Sequence, residues 1–264
     1  MIVLSTILHS MQIPLILESV FKWLFLLCAL AMGVLFQYKD KLPEPDFYDL
    51  SQLDEPLQTA TEREIFKTQA NGHEYTVTPK YDYELQGVVV SYHDASSFLD
   101  IWHHKRWLDF LNERDLCVIW GKNVATGVYK KVDFSNDSWT CWVSWKDSET
   151  GQLFQLNALS NNHLLVDNAV VRAGLLASEP GDHIRFKGML SEYANKKNGF
   201  KRGTSTIRED TGNGACETVY LTDFEIVKKA NLKLRRFFSF AKVISGVSLI
   251  GYLAMFFITP VRVK

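Results

Sequence analysis

PGDHIRFKGMLSEY, residues 180–193, is the stretch from which the fold of this chain is read. Pro180-Gly181 ends whatever precedes it, and from His183 the side chains alternate. Ile184, Phe186 and Gly188 fall opposite Arg185, Lys187 and Met189, the period of two that a half-buried strand requires. Just upstream, DNAVVRAGLLAS (167–178) reads as a helix with Asp167 or Asn168 as its cap. Downstream, a long polar connection (191–218) leads to a last strand, ETVYLTDFEIV (217–227). Further strands are predicted at 83–93, 115–121, 127–134 and 138–145. Gly87 marks a bend in the first, and Ser135, Asn136 and Asp137 form a turn before the last. In SSFLDIWHHKRWLDFLNER, Phe98, Ile101, Trp102, Leu108 and Leu111 recur at helical spacing, so a second helix is expected over 96–113.

The order strand, helix, Gly-Asp turn, strand, long loop, strand carries more than any one element. PGDHIRFKGMLSEY resembles the fourth strand of OB domains, where GD-x-[IV]-x-[FV]-x-G recurs, and VYLTDFEIV resembles the fifth. The resemblance is to OB domains related to tRNA-anticodon-binding modules, some of them found in bacterial envelope proteins, and it covers about sixty residues of the 264. It implies a mainly β fold, an OB-like small β-barrel with one or two helices over 79–227. It also implies a ligand surface on the connections joining strands one to two and four to five. The first half departs from a minimal OB-fold, with a helix between strands one and two and an extra hairpin, which leaves another small β-barrel open.

Both ends are apolar. Met11–Phe36 and Phe237–Pro260 carry the roughly 20 apolar residues needed to cross a bilayer, so N- and C-terminal transmembrane helices are expected to flank the domain. Glu18 and Lys22 interrupt the first as an i,i+4 pair with the acid leading. Pro14 suits a helix start. A cleaved signal peptide is the alternative, but Met1–Leu17 has no Lys or Arg to form its basic start. Between the first span and the domain, 37–78 is acidic and proline-bearing and reads as extended linker. Lys39, Lys41 and the cluster Lys228, Lys229, Lys233, Arg235 and Arg236 outnumber Lys22, Arg262 and Lys264 on the tails. The bias places the middle domain in the cytoplasm of a two-pass inner-membrane protein, with a periplasmic domain as the alternative. Cys117 and Cys141 both fall in strand-like runs. They pair in an oxidising compartment or stand as small buried hydrophobes in a reducing one.

The 191–208 connection holds Lys196, Lys197, Lys201, Arg202 and Arg208 with Tyr193 and Phe200 as stacking faces. Basic groups beside aromatics suit an anionic polymer or single-stranded nucleic acid. The other connection contributes His103, Lys105 and Arg106. The net charge of −1 argues against bulk nucleic-acid binding, so any anion recognition is local. No metal site is expected. His103 and His104 are adjacent, His93 and His163 are distant, and no H-x-x-x-H spacing occurs. Asp210-Thr211-Gly212 lacks the apolar strand that precedes an aspartic-protease triplet. No P-loop or dinucleotide fingerprint calls for a cofactor, and no residue is assigned catalysis. The expected function is a membrane-anchored binding or assembly module for an anionic ligand or a protein partner. A tethered hydrolase using Cys216 or a histidine-bound metal, and a structural subunit of a membrane complex, are the alternatives. The last would use Ala241-x-x-x-Ser245 as a weak small-residue face toward a membrane partner.

Overall fold

The computed structural model describes residues 2–210 and 216–259, with side-chain surroundings from residue 13 onward. Thr211, Gly212, Pro260, Arg262 and Lys264 lie outside the described residues. Along the chain run helix α1 (Ile2–Tyr38), then strands β1 (Leu57–Ala60), β2 (Phe66–Ala70), β3 (His73–Asp94) and β4 (Asn112–Ile119). Helix α2 (Lys122–Ala125), strands β5 (Val132–Asn136) and β6 (Cys141–Trp145), helix α3 (Ser148–Leu153) and strand β7 (Leu159–Leu165) come next. Helix α4 (Ala169–Leu176), strands β8 (His183–Asn195), β9 (Phe200–Arg202) and β10 (Glu217–Lys228), and helix α5 (Leu232–Ile258) complete it. The chain forms two units, one helical (Met1–Lys41 with Asn231–Lys264) and one sheet-rich (Leu42–Ala230).

In the helical unit, α1 and α5 are long and apolar enough to cross a membrane. Phe36 lies 6.4 Å from Phe238, and Phe21 lies against Gly251, so the two helices run antiparallel. Ala241, Ser245 and Ser248 are the buried residues of α5. This small-residue face lets the two backbones approach, and it serves packing within the chain. Phe257 and Ile250, by contrast, are 82% and 71% exposed. Apolar side chains facing outward along both helices suit hydrocarbon and not water. Helix α1 begins at Ile2, so Pro14 lies inside it and not at its start.

The sheet-rich unit is built on one sheet with the pairing order β1-β3-β4-β7-β10-β8-β9. Strand β3, 22 residues long, also pairs with β8 along its length, from Tyr75↔Asn195 to Val88↔His183. The pairings β3-β4-β7-β10-β8 therefore return to β3. All are antiparallel except β7 with β10, which is parallel. Leu85 and Val88 of β3, Leu116 and Val118 of β4, Phe186 of β8 and Val219 of β10 are fully buried in one core cluster. Each contributes about 1.5–3 kcal/mol by leaving water.

The Gly-Asp turn that opens β8 holds several segments. Gly181 has φ +90, a conformation cheap only for glycine, and its N–H donates to Val89 O at 2.6 Å. Asp182 Oδ1 accepts from Ala230 N at 2.8 Å, tying the end of the unit to the turn. At Gly188 the approach of β10 is so close that a Cβ would lie 2.2 Å from Tyr220 O. Helix α4 links β7 to β8, and Asn168 is its cap, accepting from Val170 N and Val171 N at 2.8 and 3.2 Å.

Two expectations are corrected. The stretch 37–78 is not extended linker throughout: it carries β1 and β2, and Tyr48 and Leu53 are buried in the core. The segment 96–113 is not an amphipathic helix. Among its described elements are a single π-type turn at His103–Trp107 and the start of β4, while Phe98 is 89% exposed. Its local period is overridden by tertiary bonds. Asp100 Oδ1 accepts from Trp102 N and His103 N at 2.7 and 2.9 Å. Leu108 adopts φ +53 so that its carbonyl can accept from Tyr75 Oη at 2.6 Å and from Asn195 Nδ2 at 3.1 Å. The polar run SNNHLLVDN (160–168) is mostly β7, and its Asn162 and His163 are fully buried.

Candidate functional site

The loop joining β3 to β4 and the arm joining β8 to β10 meet. Asn198 donates to Trp107 O, and Phe200 stacks on Trp107 with 5.9 Å between centroids and 16° between planes. Trp107 in turn lies 4.0 Å from Trp139 and stacks on Trp102 at 5.6 Å. Trp139 comes from the turn of the β5–β6 hairpin, a two-stranded sheet of its own. Two cations sit on this aromatic group and a third on the exposed Phe98 ring. Arg202 lies 5.5 Å from the centroid of Trp139, Arg106 5.0 Å from Trp102 and Lys105 5.2 Å from Phe98. Cation–π pairs of this kind are worth about 0.5–2 kcal/mol each, depending on solvent access.

The hairpin is fastened to the main sheet by a Cys117–Cys141 disulfide, with Cα atoms 5.7 Å apart, inside the range a bridge needs. Asn136 Nδ2 donates to Asn161 Oδ1 at 3.0 Å, and Asn161 Nδ2 donates to Trp139 O at 3.0 Å. The buried Asn161 of β7 thus holds the tryptophan turn.

Arg202 is set from below by a buried relay. His163 Nδ1 lies 2.7 Å from Asp115 Oδ1, and Arg202 Nη2 lies 3.0 Å from His163 Nε2. Guanidinium only donates, so Nε2 must be the bare nitrogen and Nδ1 must carry the proton that faces Asp115. Burial pushes the His163 pKa down, in keeping with this neutral tautomer. Burial pushes the Asp115 carboxyl up, but His163 and Arg202 outweigh it and hold it to about 2. Arg202 Nη1 is buried with no hydrogen-bond partner among the described residues. A cation held in place with an unused donor is suited to an anion.

Beside the tryptophans, Asp100 gathers two histidines that the sequence keeps apart. His93 Nε2 and His103 Nδ1 lie 2.6 and 2.8 Å from Asp100 Oδ2, and Ser138 Oγ donates to the same oxygen at 3.2 Å. Burial raises the Asp100 pKa, but the imidazoles and the backbone N–H of His103 outweigh it and hold the carboxyl far below the usual range.

The residues predicted to bind ligand separate into groups. Phe200, Arg202 and Arg106 join the aromatic cluster, and Lys105 lies over the exposed Phe98 ring. Lys196, Lys197 and Lys201 are exposed on the β8–β9 hairpin. Tyr193 is not a stacking face: it is buried, and its hydroxyl donates to Asp109 Oδ2 at 2.5 Å. His103 is likewise buried, on Asp100. Arg208 is elsewhere, paired with Glu217 and with Tyr83 Oη. Trp107, Trp139 and Asp100 were missed; the only sequence signal was the concentration of tryptophan in 102–145. Cys216 Sγ contacts Asn161 Nδ2 at 3.5 Å and Trp139 O at 3.7 Å, and burial pushes its thiol pKa up. It has no imidazole within hydrogen-bond reach among the described residues and is not an activated thiol. No protein-family model, curated protein or solved structure matches the chain.

Proposed function

We propose that the chain is a two-pass membrane protein whose middle domain is an OB-like barrel that binds an anionic polymer. Three features of the sheet support the barrel. The pairing path returns to β3, the third and fifth strands of that path in chain order (β7 and β10) are parallel, and α4 lies between the third and fourth (β7 and β8). On this reading the β3–β4 and β8–β10 connections are those that OB-folds use for ligands. The observation that carries the binding reading is their meeting in one cluster, with Phe200 on Trp107 and Arg202 over Trp139.

The Cys117–Cys141 bridge favours a domain on the oxidising side of the membrane, a periplasm or cell exterior, over the cytoplasmic side suggested by Lys and Arg counts. A domain of this length can cross regardless of flanking charge. In that compartment the ligand is an anionic polysaccharide and not nucleic acid.

The test is a tryptophan-fluorescence titration of the full-length protein in neutral detergent micelles, with heparin as the anionic polysaccharide and dextran as its uncharged counterpart. Heparin should change the emission at low salt, and about fourfold more salt should weaken binding by tenfold or more. Dextran should do nothing. Equal responses to both polymers, or none to heparin, would reject the reading.

A further inference from the structure

The His93–Asp100–His103 group lies next to the tryptophan cluster but has no task in anion binding. It is organised around one atom. Three donors, His93 Nε2–H, His103 Nδ1–H and Ser138 Oγ–H, converge on Asp100 Oδ2 at 2.6, 2.8 and 3.2 Å. A carboxylate oxygen offers about two lone-pair sites, so this acceptor is over-subscribed. The other oxygen, Oδ1, is already held by Trp102 N and His103 N, so the carboxylate cannot turn to share the load. His103 is wholly buried, and its second nitrogen, Nε2, has no hydrogen-bond partner among the described residues. A buried imidazole, His103, and a partly exposed one, His93, thus face a single anionic oxygen.

The geometry points to a divalent-metal site: His93, Asp100 and His103 bind one zinc ion through His93 Nε2, Asp100 Oδ2 and His103 Nδ1. The three ligand atoms lie within 4.8 Å of one another. Zinc–nitrogen and zinc–oxygen bonds of roughly 2.0–2.2 Å in a tetrahedron separate the ligand atoms by about 3.4 Å. The two observed N···O spacings therefore need to open by only about 0.7 Å. The imidazoles then point lone pairs at the metal where they now point protons at the oxygen, which removes the crowding. Each ligating imidazole then carries its single proton on the nitrogen away from the metal, Nδ1 of His93 and Nε2 of His103, so a neutral ring changes tautomer with no net proton release and an imidazolium releases one proton to solvent. The Trp102 and His103 backbone N–H groups act as the outer shell that orients the carboxylate. Trp107 and Trp139 wall the site, with centroids 5.3 and 6.2 Å from the His103 ring. The fourth position is left for water or for Ser138 Oγ. Bound zinc would pin the β3–β4 loop to the end of β3, so its role is in the first place to order the loop.

Zinc(II) chloride alone is the probe. The untagged full-length chain in detergent is stripped with chelator, loaded with zinc, and analysed for bound metal and by calorimetric titration. Cobalt(II) is added separately to read the visible absorption of a tetrahedral site. Wild type should hold one zinc per chain and give the cobalt bands. H93Q alters the ligand nearest solvent, with a side chain 18% exposed, and leaves the Asp100 backbone bonds in place. It should bind zinc at least ~100-fold more weakly, since even outer-shell losses cost 10–100-fold. H104Q changes the adjacent histidine, outside the cluster, and should retain zinc and cobalt colour. Metal-free H93Q should keep the wild-type circular dichroism, which separates loss of a ligand from loss of fold. Wild type without bound zinc would overturn the site, as would H93Q that binds as tightly as H104Q. The latter would place the metal on the free thiols or elsewhere and leave the trio purely hydrogen-bonded.

Discussion

Replacing Cys141 by serine should destabilise the sheet-rich unit by an amount that the loop length sets. The bridge joins residues 24 apart in sequence. Closing a loop of that size in the unfolded chain removes about 12 cal/mol/K of entropy, or about 3.5 kcal/mol at 25 °C. Serine is nearly isosteric and Cys141 is only half-buried, so a cavity term adds little. With a urea m-value of about 2 kcal/mol/M, the unfolding midpoint should fall by roughly 1.7 M. The hairpin then keeps its polar ties to the sheet, Asn136 to Ser91 and Asn161, and Asn161 to the Trp139 carbonyl, and the packing of Val132, Phe134 and Val143 on the core. Trp139 should loosen before the rest. The assay is urea unfolding of full-length wild type and C141S in micelles, followed by tryptophan emission and by circular dichroism. A maleimide count on the denatured wild type supplies the control. Of the four cysteines, Cys28 and Cys216 are free, so two adducts are expected without reductant and four with it. Four adducts without reductant, or a midpoint shift below about 0.3 M, would refute the reasoning.

Acid should weaken the relay beneath Arg202. The folded-state pKa of His163 is depressed below its ordinary 6.5, so as pH falls through that value the unfolded chain takes up a proton that the folded one refuses, and stability drops. Asp115, held to about 2 from 3.8, adds on the order of 2 kcal/mol that is present above pH 3.8 and lost as pH falls toward 2. Melting temperature should therefore decline from pH 7.5 to 5, and a flat profile would contradict the buried relay. G188A places a Cβ 2.2 Å from the Tyr220 carbonyl, a backbone atom that cannot swing away, and should cost ~3 kcal/mol in chemical unfolding; a neutral result would mean that β8 and β10 do not approach so closely. An alkaline-phosphatase reporter fused at Asp223 should be active, as a domain outside the cytoplasm requires, and an inactive reporter would return the domain to the cytoplasmic side.

The parts of the fold legible in the sequence are those where local pattern and tertiary structure agree. The alternation from His183, the cap at Asn168 and the two apolar ends reappear as β8, α4, α1 and α5. The failures occur where a distant group decides. The period of Phe98, Ile101 and Trp102 suggests a helix, but Asp100 takes the backbone N–H groups of the turn, and Tyr75, 33 residues away, takes the Leu108 carbonyl. Strand β7 is hidden because Ser160, Asn161, Asn162 and His163 look like turn residues. They are buried as the polar spine of the site, with Asn162 donating to Leu116 O and Ser160 Oγ. Of the site, the charges on the β8–β10 connection were readable from composition. The tryptophans were not, because Trp107 and Trp139 lie on separate segments that meet only in the folded chain. The His93–Asp100–His103 group has no diagnostic spacing, since its first member is at the end of β3 and the other two are in the turn that follows.

On the proposed function, two loops far apart in sequence form one anion-binding surface. Hydrogen–deuterium exchange of the full-length protein, with and without saturating heparin, tests it most directly. Added protection is predicted together in residues 98–107 and 196–202, with the Trp139 turn joining them and the 45–53 turns unchanged. Protection confined to one of the two loops, or appearing first at 45–53, would contradict the account.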